Sequence, residues 1–150
     1  MKNLFLTVSI LLATTLTAQS GFKVVEEKEK PVEIGKVKIA GVWYASDNLN
    51  VEDSSHTIYY RDVKYAHITK VESFSLQKED YDQLVNEVPG LLTKRKDLEM
   101  QIALADGTEL TIRIHKSGKI QFSVWNKVHW SYCAWLNLRN FNKLVGNLNR

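Results

Sequence analysis

Between Leu98 and Trp125, apolar and polar residues alternate through three successive runs, and a glycine dipeptide separates each run from the next. Leu98, Met100, Ile102 and Leu104 make the first run, Leu110, Ile112 and Ile114 the second, and Ile120, Phe122 and Val124 the third. A period of two puts every apolar side chain on one face, the pattern of a half-buried strand. Asp106-Gly107 and Ser117-Gly118 mark the reversals, because these residues tolerate the positive φ that tight hairpins need. Asn126-Lys127 reads as a third turn, and a fourth strand is expected from about His129 to Leu136. The segment is therefore an antiparallel meander. Phe141, Leu144, Val145 and Leu148 then fall at helical spacing, with Asn137 or Asn140 as the cap.

The first half follows a similar plan. Val37 to Tyr44 reads as a strand, Ser46 to Ser55 as a polar loop, His56 to Tyr60 as a second strand, and Val63 to Leu76 as a long, bent third strand. Tyr81, Leu84, Val85 and Val88 form a helical stripe, and Glu79, Asp80 and Asp82 sit where carboxylates favour the positive end of the helix dipole. Pro89-Gly90 is expected to end or kink this helix, although Leu91 and Leu92 would extend the stripe. The fold class is α+β, with antiparallel β-meanders each followed by an amphipathic helix. A shift of sixty residues lays Leu76 on Leu136, Tyr81 on Phe141, Leu84 on Leu144, Val85 on Val145, Val88 on Leu148 and Ser46-Asp47 on Asp106-Gly107. An internal duplication with pseudo-repeats 36–92 and 97–150 would produce this.

Ser73-Phe74-Ser75-Leu76 leading into Tyr81, Leu84 and Val88 resembles the strand-to-helix junction of the positive-cofactor-four family. Ala134-Trp135-Leu136 leading into Phe141, Leu144 and Leu148 repeats the pattern. The resemblance implies a β-β-β-β-α module in each half, which in that family binds single-stranded DNA. It covers about fifteen residues per half, chiefly hydrophobic spacing, and transfers no DNA-contacting residue.

The N-terminus reads as an address. Met1-Lys2-Asn3 is a short positive region, Leu4 to Leu16 is mostly apolar, and Thr17-Ala18-Gln19-Ser20 offers a cleavage site. This is the layout of a secretory signal peptide, and the run is too short to span a bilayer, which takes ~20 apolar residues. Residues 1–18 are expected to be removed, 19–35 to form a solvated leader, and 36–150 to fold as one domain with no membrane span. The short first region and the Ala-Gln junction resemble those of exported Bacteroidota proteins. A periplasmic or extracellular location follows.

Motifs for catalysis are missing. The sequence has no GxSxG elbow, no HExxH-type motif and no glycine loop leading into a helix. His115 and His129 could meet across the meander with Glu109, but surface histidines near hairpin ends are the simpler reading. No cofactor and no metal are expected. Cys133 is the lone cysteine, which excludes an intramolecular disulfide; it reads as a small packing residue on a strand.

Charge divides unevenly. Residues 19–106 carry 12 Lys/Arg and 16 Asp/Glu, whereas residues 107–150 carry seven and one, together with three of the four tryptophans. Alternation places Arg113, Gln121, Ser123 and Trp125 opposite the core. Counting back from Leu136 puts Trp130, Tyr132 and Ala134 inside, and His129, Ser131, Cys133 and Trp135 outside. Arg113, Gln121, Trp125 and Trp135 are therefore the candidate binding residues, on a basic aromatic face suited to an anionic ligand or a protein, unless a second sheet covers it. The expected role is a small exported binding protein without catalysis. The alternative is nucleic-acid or polyanion binding through the basic C-terminal half, against which export argues. Protein recovered from its native host should give a mature mass with its N-terminus near Gln19; an intact Met1 on a cytoplasmic protein contradicts export.

Overall fold

The structure, a computed structural model, describes residues 29–65 and 67–147. The expected signal peptide lies outside the described residues. Two antiparallel sheets form. The first has the order β1 (Val32–Ile39), β2 (Val42–Leu49), β3 (His56–Arg61), β4 (Val71–Leu76). Helix α1 (Lys78–Thr93) follows. The second sheet has the order β5 (Leu98–Ala103), β6 (Glu109–His115), β7 (Lys119–Trp125), β8 (Trp130–Tyr132), with β9 (Leu136–Asn137) also on β7. Helix α2 (Leu138–Leu144) completes the order. The α+β class and the two meanders agree with the sequence.

The second sheet matches its pattern closely. Leu110 pairs with Val124, Ile112 with Phe122 and Ile114 with Ile120, all buried on one face. Its two glycine hairpins are three-residue loops rather than two-residue turns: in the first, Leu104 N–H donates to Thr108 O, Gly107 N–H to Leu104 O, and Gly107 takes φ 76°. A turn followed by a left-handed residue suits the twist of the flanking strands. Asn137 caps α2, its side chain accepting from Asn140 N–H at 2.9 Å.

The first sheet departs more from expectation. The segment Val37–Tyr44 is a hairpin, not one strand, with Ala40 and Gly41 both at positive φ (50° and 81°). That pair of angles reverses the chain in two residues, but Ala-Gly is a weak turn signal beside Asp-Gly. The expected leader consequently loses its last four residues, Val32 to Gly35, to β1. The polar run after Ser46 is strand through Leu49, with Ser46 and Asp47 buried. The expected long third strand is shorter: residues 62–65 and 67–70 are loop, Asp62 N–H donates to Lys70 O, and β4 starts at Val71. Helix α1 runs through Pro89 to Thr93 because buried Leu92 anchors its last turn. Each half runs from a meander into a helix, but the second half adds β9 and the offset is not constant: 66 residues separate Ala40-Gly41 from Asp106-Gly107, and 60 separate Tyr81 from Phe141. Asp47 lies inside a strand and has no counterpart in the Asp106 turn.

Both sheets share one core. Helix α1 packs on β4 and β6, and α2 packs on β1, β2, β7 and β9, so each helix bridges the two sheets. Phe74 meets Phe122 at 5.6 Å between ring centroids. Tyr60, fully buried, shares a hydrogen bond with Ser131 at 2.5 Å, and burial raises its pKa. Val63 N–H donates to Tyr132 O, and Tyr132 N–H to Asp62 Oδ1, stitching the end of the first sheet to β8.

The closest approach is at Gly35, where a Cβ would collide with the backbone carbonyl oxygens of Lys143 and Leu144. Backbone atoms cannot swing aside as a side-chain tip can, so α2 would have to lift off β1. Gly35→Ala should destabilise the protein by about 1–3 kcal/mol, the range for overpacking a tight contact. Urea unfolding checks this, and a midpoint equal to the parent's contradicts the close approach.

Candidate binding site

Register settles which residues share a face. Glu99 pairs with Arg113 and Arg113 with Gln121, while Glu109 pairs with Trp125 and Trp125 with Trp130. Directly opposed residues in an antiparallel pair project to the same side. Arg113, Gln121 and Trp125 therefore lie together on the face away from the core, as expected. The buried row Leu110, Ile112, Phe122 and Val124 points the other way, into the core, where Phe122 meets Phe74 of the first sheet, so among the described residues the first sheet lies on the opposite side from them.

Trp135 reaches this face by a different route. Ser123 pairs with Tyr132 and Ile120 with Leu136, so three steps along β7 match four along its partner. That surplus residue is a β-bulge, which flips the parity of everything before it. Cys133 N–H donates to Phe122 O at 2.9 Å, and Cys133 and Leu136 are both fully buried although three residues apart. Counting back from Leu136 by alternation therefore inverts the strand. Ser131 and Cys133 face the core, whereas Trp130 and Tyr132 are half-buried on the outer side. Burial pushes the Cys133 thiol up to about 12, which keeps it protonated and unreactive.

The four expected site residues are divided by this geometry. Gln121 is buried and donates its Nε2–H to Cys133 O at 3.0 Å, a bond that braces the bulge. Trp125 packs on Trp130 at 5.6 Å, four residues along β7 from Gln121. Arg113 and Trp135 come together at the opposite end, in an open groove of ≈ 390 Å³ that they share with Asp97, Glu99 and His115. Trp135 is 41% exposed, and His115 meets its ring at 6.0 Å in an edge contact. An adjoining hollow of ≈ 280 Å³, lined by His115, Ser117, Lys119 and Trp135, lies on the same ring.

The sequence pointed to neither Asp97 nor Glu99, because their relation to Arg113 and His115 depends on β5 returning beside β6. Arg113 Nε donates to Glu99 Oε2 at 2.9 Å, and His115 Nε2 stands 4.0 Å from Asp97 Oδ1. The basic character of residues 107–150 is therefore offset at Arg113 by a carboxylate from the acidic half of the chain. Ser117 N–H donates to His115 Nδ1 at 3.1 Å, and the Ser117 hydroxyl lies 2.8 Å from the same nitrogen, an arrangement that closes the hairpin. Accepting the backbone N–H leaves the proton of a neutral ring on Nε2, on the side of Asp97. Gly118 N–H is taken by His115 O, so this turn offers no oxyanion donor beside the serine.

His129 does not meet His115. It sits beside Lys70 and Glu72, with Nε2 at 2.9 Å from Lys70 Nζ and 3.3 Å from Glu72 Oε1, tying β4 to the β7–β8 turn. Burial opposes the charge on Glu72, but the bonds from Lys70 and His129 outweigh it and lower its pKa. Among the described residues no group of three or more His, Cys, Asp or Glu side chains is placed to hold a metal ion.

A second cluster lies inside the first sheet. Asp47, 0% exposed, accepts from Tyr81 Oη–H at 2.5 Å and lies 3.1 Å from His56 Nδ1. His56 and Tyr81 stack at 3.4 Å, with 7° between their planes. These contacts pin the first turns of α1 to β2 and β3. No family model, curated protein or solved structure matches this chain.

Burial raises the Asp47 pKa above 3.8, and the bonds from Tyr81 and His56 only partly offset it. The folded state then holds this proton more firmly than the unfolded chain. The associated stability is complete below pH 3.8 and is lost as pH rises through the folded value. Asp47→Asn keeps an acceptor for Tyr81 and removes the titration. Urea midpoints measured from about pH 3 to 7 should show the variant gaining on the parent as pH rises; parallel curves contradict a raised Asp47.

Proposed function

We propose that this chain is a small exported binding protein, periplasmic or secreted, that works without catalysis and binds through the groove beside Trp135. The single observation behind this reading is the open groove itself, which joins an exposed indole to Arg113 and Glu99 on one sheet face. Tryptophan supplies a large rigid contact area, and arginine supplies directed donors, which is why both concentrate at binding hot spots. The rest of the face serves other ends: Gln121 secures the bulge, and Trp125 packs on Trp130. Export is supported by the three-part N-terminus. A buried, protonated lone cysteine is compatible with an oxidising compartment. Among the described residues no helix is long and apolar enough to cross a membrane.

Polyanion binding is less well supported than the sequence suggested, because Glu99 holds Arg113 and Asp97 stands beside His115. The test is a capture experiment with the mature protein as bait in the exported fraction of its host. Trp135→Ala combined with Arg113→Ala should lose the captured material, and Trp125→Ala should retain it. Near-ultraviolet circular dichroism checks that each variant keeps its fold. Unchanged capture by the double variant would mean that the groove is ordinary surface.

A further inference from the structure

Taking the Trp135 groove as the binding surface, we infer that its ligand is an uncharged, polyhydroxylated chain, a segment of a neutral polysaccharide. Three features of the groove converge on that chemistry. The first is the ring. Trp135 is 41% exposed, and His115 meets it at an interplanar angle of 66° rather than as a parallel ring. A pyranose presents C–H groups on its faces and hydroxyls around its rim, so it stacks on a flat aromatic surface while its rim seeks polar partners.

The second feature is charge. Two carboxylates, Asp97 and Glu99, and two cations, Arg113 and Lys119, line the two hollows. An anionic chain would meet both carboxylates at close range, and a cationic one would meet Arg113. An uncharged ligand encounters neither penalty, and hydroxyls act as donor to a carboxylate and as acceptor from a guanidinium in the same site. Arg113 donates Nε to Glu99, so the groove presents a guanidinium donor and the carboxylate acceptors Glu99 and Asp97 side by side.

The third feature is extent. The hollows of ≈ 390 Å³ and ≈ 280 Å³ share His115 and Trp135, so they adjoin along these two rings. A chain laid across Trp135 occupies both hollows, whereas a single sugar would fill only one.

The test is depletion of the mature protein from solution by insoluble polysaccharides: cellulose, chitin, mannan and xylan as neutral matrices, and pectate as the anionic one. At least one neutral matrix should retain the protein. Retention should survive added sodium chloride, because little net charge is neutralised on binding. Trp135→Ala should weaken retention at least about tenfold, and Trp125→Ala should leave it unchanged. Retention by no neutral matrix, equal retention of the Trp135→Ala variant, or retention by pectate alone that disappears in salt would each overturn the inference. If the polysaccharides are ignored while the Trp135 and Arg113 double variant still loses its capture from the exported fraction, the groove stands as a binding surface and only the ligand class falls.

Discussion

One surplus residue opposite β7 governs the second sheet. Had the fourth strand paired with β7 in continuous register, Cys133 and Leu136 could not both enter the core. The bulge between Tyr132 and Leu136 places both inward. The stretch between them carries Trp135 to the outer face, and Gln121 closes the distortion through Cys133 O. A bulge disrupts ladder hydrogen bonding and re-aims the side chains around it. Here the same distortion fills the core with a small thiol and exposes an indole beside Arg113. The alignment of core and groove thus has one local cause.

The two halves are held together by exchange rather than by simple stacking. Helix α1 leaves the first sheet and packs on β6, and α2 leaves the second and packs on β1 and β2. Gly35 admits the last turn of α2 against β1 because no Cβ stands in its way. Tyr81 brings the start of α1 down on Asp47 and His56. A buried carboxylate stabilises only weakly on its own account, since desolvation opposes its charged form. What it supplies is a fixed seat for the helix. Polar contacts at the sheet junction, Tyr60 with Ser131 and His129 with Glu72, complete the connection.

The distribution of charge along the chain proved a poor guide to its distribution in space. The last 44 residues carry seven basic groups and one carboxylate, yet β5 brings Glu99 and Asp97 back beside Arg113 and His115. A strand neighbour remote in sequence lies about 5 Å away, well inside the ~8–10 Å screening length. Pairing therefore overrides composition, and the groove is balanced where the sequence reads as cationic.

Alternation and turn chemistry alone determined much of this protein. The β5–β7 meander, the α+β class, the α1 stripe, Phe141 and Leu144 of the second stripe (whose Leu148 lies outside the described residues), a cap at Asn137 or Asn140 and the shared face of Arg113, Gln121 and Trp125 were legible, because a period of two with glycine turns leaves strands little freedom of register. Where the signal was weak, the reading slipped: Ala40-Gly41 turns without Asn or Asp, and Asp47 is a polar residue that its partners Tyr81 and His56 allow into the core. Tertiary structure decided the rest. The bulge depends on how Cys133 and Leu136 fill a core that both helices close. The neutrality of the Trp135 groove depends on which strand lies beside β6. Neither is a local property of the chain, so no pattern of neighbouring residues could have revealed it.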